Sequence, residues 1–343
     1  MADWSVLAPA FKPVGARRES TLTDPGCVID HFVVSPELRS LLNAAPEVYA
    51  FDEDPAFLDA ASPDARVWKR TTDHRPVTLT ITSDDPAAPA GPGPLKLTLL
   101  STEELPGTDF SGVVSLGDGT LLLAHDDDGI YRWRPGSAAV LLRGKQDHDA
   151  LGDIESLCYD ELTRKLYTLS EDEGVLLSFD VVPGAEATLS PAHEEARLDR
   201  HGDTENKGWE GVALLPARFR KDGVARLIAV NEGAPKAVAV YALPGLERRA
   251  TVELSGELDA ALGDVADVAV CPDTGNLLLL SDQSEVLAEV ELAADDRSLR
   301  MISLHRLPVA NKAKPEGLAV TADGQLLVVT DQSKELLRFA MGR

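Results

Sequence analysis

Five stretches of the chain repeat one order of apolar and polar positions. Each opens with a short apolar strand, turns on a polar and often glycine-bearing segment, and resumes with a continuously apolar run. The stretches are 109–126, 153–171, 209–232, 265–282 and 315–331. Aligning Gly112, Ser156, Gly211, Asp267 and Gly317 gives spacings of 44, 55, 56 and 50 residues, so the repeat is about fifty residues long with its variation in loops. The turns at Asp273-Thr274-Gly275-Asn276 and Ala322-Asp323-Gly324 carry the residues of tight hairpins. Second strands such as Leu277–Leu280 and Leu326–Val329 lack polar alternation, which predicts burial on both faces. Third strands follow at 130–133, 176–179, 238–241 and 336–339, and more polar fourth strands such as 301–305 come after them. Four antiparallel strands per unit, repeated around a ring, predict an all-β propeller.

The last unit reaches Arg343 without a fourth strand, whereas residues 95–100 form an apolar strand ahead of the first unit. Pairing these two ends closes the ring and removes an exposed edge. This gives five blades over residues 95–343. The alternative is a sixth, degenerate blade within 27–82, using Val48–Phe51 and Val77–Ile81 as strands. Residues 1–90 otherwise read as an N-terminal extension. A helix is predicted after Ser35-Pro36, another after Asp54-Pro55, and a Pro/Gly/Ala linker at 84–94.

Composition narrows the function. With 44% hydrophobic residues the chain can bury a core, but only 5% aromatics leave Leu, Val and Ala to pack it. Fifty-seven acids against 33 bases give a net charge of −24, which repels nucleic-acid and anionic-membrane partners. Cys27, Cys158 and Cys271 form no paired framework, and the latter two sit in apolar runs as small core residues. No signal peptide and no apolar run long enough for a membrane span is read, so a cytoplasmic location is expected.

Chemistry is sought where the repeat converges. First strands line a propeller's channel, so equivalent positions meet on the axis although they lie far apart in sequence. Those positions hold Glu155, Glu210 and Glu316, with Asp267 one place along in the fourth unit and Asp109 just before the first. Like charges brought together raise each other's pKa unless a cation or base relieves them. Calcium, with six to eight oxygen ligands in flexible geometry, suits such a ring. Two readings stand: the glutamates cap backbone N–H groups and peg blades together, or Glu155, Glu210, Glu316 and Asp267 hold a divalent cation. A second tier of acids, Asp126, Glu171, Glu232, Asp282 and Asp331, ends the second strand of every unit as turn formers or as a binding rim. Lys207 and Lys312, preceding two of the glutamates, are candidate internal counter-charges. No nucleophile elbow, phosphate-binding loop or zinc-protease motif is present.

The segment Asn206-Lys207-Gly208-Trp209-Glu210-Gly211-Val212-Ala213 resembles the signature of the SdiA-regulated, YjiK-like propellers, and the esterase-like phytase group carries a similar motif. Asn311-Lys312 ahead of Pro315-Glu316-Gly317-Leu318-Ala319 looks like a second copy. The resemblance covers residues 95–343 and implies a propeller with a calcium site. Phytases of propeller type use several calcium ions in an acidic channel to bind phosphate esters. The basic residues that would grip phosphate are not clustered here. A non-catalytic binding propeller presenting one face to a protein partner is therefore the leading expectation; a calcium-dependent hydrolase of phosphate esters or lactones is the alternative.

Overall fold

A computed structural model describes residues 93–171, 173–199, 208–310 and 313–343, together with the backbone of four short strands nearer the N-terminus. The chain divides into two compact units, 1–91 and 92–343. In the first, β1 (Ser5–Leu7) pairs antiparallel with β2 (Phe32–Val34), and β3 (Glu47–Val48) pairs with β4 (Val77–Thr78). The expected helices after Ser35 and Asp54 and most of the 84–94 linker lie outside the described residues.

The second unit is a five-bladed propeller. Its chain starts with β5 (Lys96–Glu104) and continues into blade 1, formed by β6 (Phe110–Ser115), β7 (Leu121–His125), β8 (Gly129–Trp133) and β9 (Val140–Gly144). Blade 2 has β10 (Ile154–Asp160), β11 (Lys165–Ser170) and β12 (Val175–Val182), whose outer edge pairs with both the two-residue β13 (Thr188–Leu189) and β14 (His193–Arg197). Blade 3 runs β15 (Trp209–Leu215), β16 (Arg226–Asn231), β17 (Ala237–Ala242), β18 (Glu247–Glu253). Blade 4 runs β19 (Asp267–Val270), β20 (Leu277–Ser281), β21 (Val286–Leu292), β22 (Leu299–Arg306). Blade 5 is β23 (Pro315–Val320), β24 (Gln325–Thr330), β25 (Glu335–Gly342) and, last, β5. The six-blade alternative is thereby set aside: β3 and β4 are two residues each and pair with one another. Among the described residues no helix is long and apolar enough to cross a membrane.

The apolar runs have the burial their sequence demands. In β7, Leu121 and Leu123 enter the wedge shared with blade 5, while Leu122 and Ala124 enter the wedge shared with blade 2. A strand sandwiched between two neighbours sends alternate side chains into two cores, so apolar residues are favoured at successive positions along it. Five such wedges, one between each pair of adjacent blades, make up the hydrophobic core. Burying each leucine fully contributes roughly 1.5–3 kcal/mol.

Ring closure follows the expected route, with a longer strand than residues 95–100. β5 pairs with β25 from Glu104 opposite Glu335 to Lys96 opposite Gly342. Arg338 Nε donates to Glu103 Oε1 at 2.8 Å across this seam. The fully buried Glu289 of blade 4 accepts from Arg343 Nη1 at 2.6 Å and from the Leu95 N–H at 3.2 Å, so both ends of the closing blade are tied to its neighbour.

The axis is crowded. Gly112, Ser156, Gly211, Asp267 and Gly317, the five aligned positions, form its waist. A Cβ on Gly317 would lie 2.3 Å from the Ser111 carbonyl oxygen, and one on Gly211 would lie 2.8 Å from Asp267 Oδ1. Only Ser156 and Asp267 carry side chains there, and both are fully buried. Asp267 Oδ1 accepts from Ser156 Oγ of blade 2 at 2.8 Å and from its neighbour Val268 N–H at 2.7 Å. Its Oδ2 accepts from the Leu318 N–H of blade 5 at 2.7 Å, and Ser156 Oγ in turn accepts from the Val212 N–H of blade 3 at 3.1 Å. Four blades are pinned by two side chains.

Two stability predictions follow from this geometry. Deleting residues 1–91 should leave a cooperatively melting propeller, whereas deletion through 105 removes β5, exposes the β25 edge and should produce aggregates in size-exclusion chromatography; equal behaviour of the two truncations would contradict the closure. Gly317→Ala should cost about 1–3 kcal/mol by overpacking in a urea melt, while Gly342→Ala, which meets nothing within 4 Å, should be near neutral.

Candidate functional site: an acidic axial cavity

One cavity of about 350 Å³ is lined by residues from all five blades. The inner tier is Ser111, Glu155, Glu210, Ala266 and Glu316, the five positions immediately preceding the waist. In four blades this residue is a β-bulge. The β6–β7 ladder jumps from Phe110 to Gly112, the β10–β11 ladder from Ile154 to Ser156, the β15–β16 ladder from Trp209 to Gly211, and the β23–β24 ladder from Pro315 to Gly317. The skipped residue is left out of the pairing, and a bulge re-aims it; here the re-aimed residue lines the cavity. The Glu-Gly pairs of the sequence therefore have a division of labour. The glutamate is the bulge that faces the axis, and the glycine is the only residue small enough for the waist beneath it.

The second tier is placed by the same repeat. Asp126 N–H donates to the Asp109 carbonyl at 3.1 Å, Glu171 to Asp153 at 2.9 Å, Glu232 to Gly208 at 3.4 Å, and Asp331 to Lys314 at 2.9 Å. In four blades the strand-end acid is thus locked beside the residue two before the inner-tier position. Asp109, Asp126, Glu171, Glu232, Asp282 and Asp331 all line the cavity with the three glutamates.

Asp267 does not join them. It is the waist residue itself, one step past the bulge position, and its oxygens are spent on Ser156, Val268 and Leu318. Burial drives its carboxyl pKa well above the usual range, and the three donated hydrogen bonds oppose that rise. Its place in the expected metal set is corrected to a structural pin, because blade 4 has no bulge there and presents Ala266 to the cavity instead. Lys207 and Lys312 lie outside the described residues.

Two lining groups were not anticipated from the sequence. Asp264 accepts from Ser281 Oγ at 2.6 Å and lines the wall beside Ala266. Lys314 Nζ lies 3.1 Å from Glu316 Oε1 and 3.9 Å from Asp331 Oδ2. The signal for both was their position: Asp109, Asp153, Gly208, Asp264 and Lys314 all sit three residues before the waist, a third equivalent tier.

The lining thus holds ten carboxylates and, among the described residues, one ammonium. The electrostatic consequence is direct. Burial, then the charge of Asp126, pushes Glu155 well above the ordinary carboxyl range; burial, then the charges of Glu155, Glu171 and Glu232, does the same to Glu210. Burial raises Glu316 to about 7 despite the opposing charge of Lys314. Asp282 is raised to about 6 by burial and then by Asp264. All the donors are oxygen, the ligand type hard cations select. Among the described residues no three His, Cys, Asp or Glu side chains are already gathered as a metal cage, so an ion here would complete its shell with water.

Residues 176–334 match the SdiA-regulated family, in agreement with the motif resemblance, over a span that includes Glu210, Glu232, Asp282, Glu316 and Asp331. No curated protein matches the sequence. Among solved structures, the glutaminyl cyclase of Myxococcus xanthus is 14% identical with a TM-score of 0.51, the match covering 73% of this chain and 98% of that one. The PQQ-bound aldose sugar dehydrogenase of Streptomyces coelicolor is 12% identical, covering 74% and 100%, with a TM-score of 0.45. The gluconolactonase of Xanthomonas campestris is 11% identical, covering 65% and 68%, with a TM-score of 0.39. At these identities the first likeness shows a shared propeller fold, and the other two carry no argument.

The carboxyl shifts set a pH dependence. For Glu316 and Asp282 the folded pKa lies above the ordinary 4.5 and 3.8, so the native state holds protons that the unfolded chain has released. Their contribution to stability is full below about pH 4 and is lost as pH rises through 6 and 7. In chelator, the melting temperature should fall between pH 5 and 7.5, and saturating calcium should flatten that fall; a metal-free profile rising across this range would contradict the assignment.

Proposed function

We propose that this propeller, matching the SdiA-regulated family over residues 176–334, is a cation-dependent binding module whose axial cavity takes up a divalent cation, calcium best fitting its chemistry. The observation that carries the reading is a cavity wall that, among the described residues, sets ten carboxylates against one ammonium. Glu155 and Glu210, on adjacent blades and the former's charge raising the latter's pKa, would hold the ion, with second-tier acids around it. The two glutamates would thereby hold a positive charge that would offset the mutual repulsion of the wall. The chain's own residues then act as scaffold. The bulges fix where the inner carboxylates face, and the backbone bonds of the second tier fix the rim. A protein partner docking on that face would meet a rigid surface whose charge depends on cation occupancy.

Among the described residues the lining includes one hydroxyl, Ser111, and no histidine or cysteine, which favours binding over nucleophilic catalysis. Isothermal titration of metal-stripped protein with calcium should show saturable binding that weakens at least tenfold in both Glu155→Gln and Glu210→Gln. Absence of binding at millimolar calcium would sink the proposal. Calcium-dependent turnover of a phosphate ester or lactone, lost in Glu210→Gln, would make the module a hydrolase instead.

A further inference from the structure

The cavity wall is not uniformly charged, and the exception is Lys314. Its ammonium lies within ion-pair distance of carboxylates from both tiers, Glu316 and Asp331. The backbone holds it there: Lys314 adopts φ of +54°, a left-handed conformation uncommon for a lysine, and its carbonyl accepts the Asp331 N–H at 2.9 Å. A residue in that conformation at a loop end is commonly glycine or asparagine. Here the strained position carries instead a long cationic side chain, which lines the acidic cavity beside the bulge it precedes. The equivalent residues of the other blades are Asp109, Asp153, Gly208 and Asp264, so at this position of the repeat blade 5 alone carries a cation.

We propose that Lys314 is the resident counter-ion of the blade 5 sector, occupying the Glu316–Asp331 pair so that a divalent cation is excluded from it and the affinity of the whole cavity is set lower than its carboxylates alone would give. The inference rests on the cation-binding reading above and assigns its tuning element. A tethered ammonium is present at high effective concentration and must be displaced, or tolerated nearby as a like charge, whenever an external cation enters. It also confines the external ion to the opposite side of the cavity, toward Glu155 and Glu210.

The test is calcium titration by calorimetry of metal-stripped wild type, Lys314→Met and Lys314→Arg. Methionine keeps the length and the backbone strain while deleting the charge; arginine keeps the charge. Lys314→Met should bind calcium at least tenfold more tightly, or with one additional ion per chain, while Lys314→Arg matches the wild type. If wild type and Lys314→Met bind alike, the inference is overturned and the cation reading survives. If only Lys314→Met binds, the inference holds and the native protein is not a calcium binder. If neither binds, both fall. Should Lys314→Met fail to fold by circular dichroism, Lys314→Gln takes its place with the same expected outcomes.

Discussion

The structure depends on a steric limit at the axis. Five inner strands approach so closely that three of the five waist residues must be glycine, and the two side chains admitted, Ser156 and Asp267, bond to each other and to backbone N–H groups of blades 3, 4 and 5. The pin ties blades 2, 3, 4 and 5 together at the level of the waist. It also determines what lies above. Each strand must enter the waist from a wider ring, and in four blades it does so through a bulge whose extra residue faces inward. The acidic wall is therefore built from the same local irregularity that lets the strands converge.

Carboxylates so placed store unfavourable free energy. Desolvation and mutual repulsion both disfavour the charged forms of Glu155, Glu210 and Glu316. An apolar residue at any of these positions would be free of that cost, and blade 4 has Ala266 there. Among the described residues one ammonium, on Lys314, stands beside the three glutamates, and an external cation would offset the remaining repulsion.

Much of this was legible in the sequence. The apolar runs of β7, β16, β20 and β24 declare double-sided burial, and the fifty-residue spacing marks five blades, although it leaves a sixth within 27–82 open until the strand pairing is seen. Simple repeat alignment also places Glu155, Glu210 and Glu316, together with the strand-end acids, around one axis. The alignment misled at Asp267. A shift of one residue separates a cavity-facing bulge from a buried pin, and nothing in the composition of Val-Ala-Asp-Val-Ala announces that blade 4 lacks the bulge. Lys314 was overlooked for a related reason. The motif drew attention to Lys207 and Lys312, which lie outside the described residues, and not to Lys314, which reaches Glu316.

The most direct measurement is an anomalous difference map from crystals grown with calcium. The account predicts a single strong peak within 2.3–2.6 Å of Glu155 and Glu210 oxygens, displaced from the axis away from Lys314. A cavity containing only water, or a peak on the Glu316–Asp331 side, would contradict it.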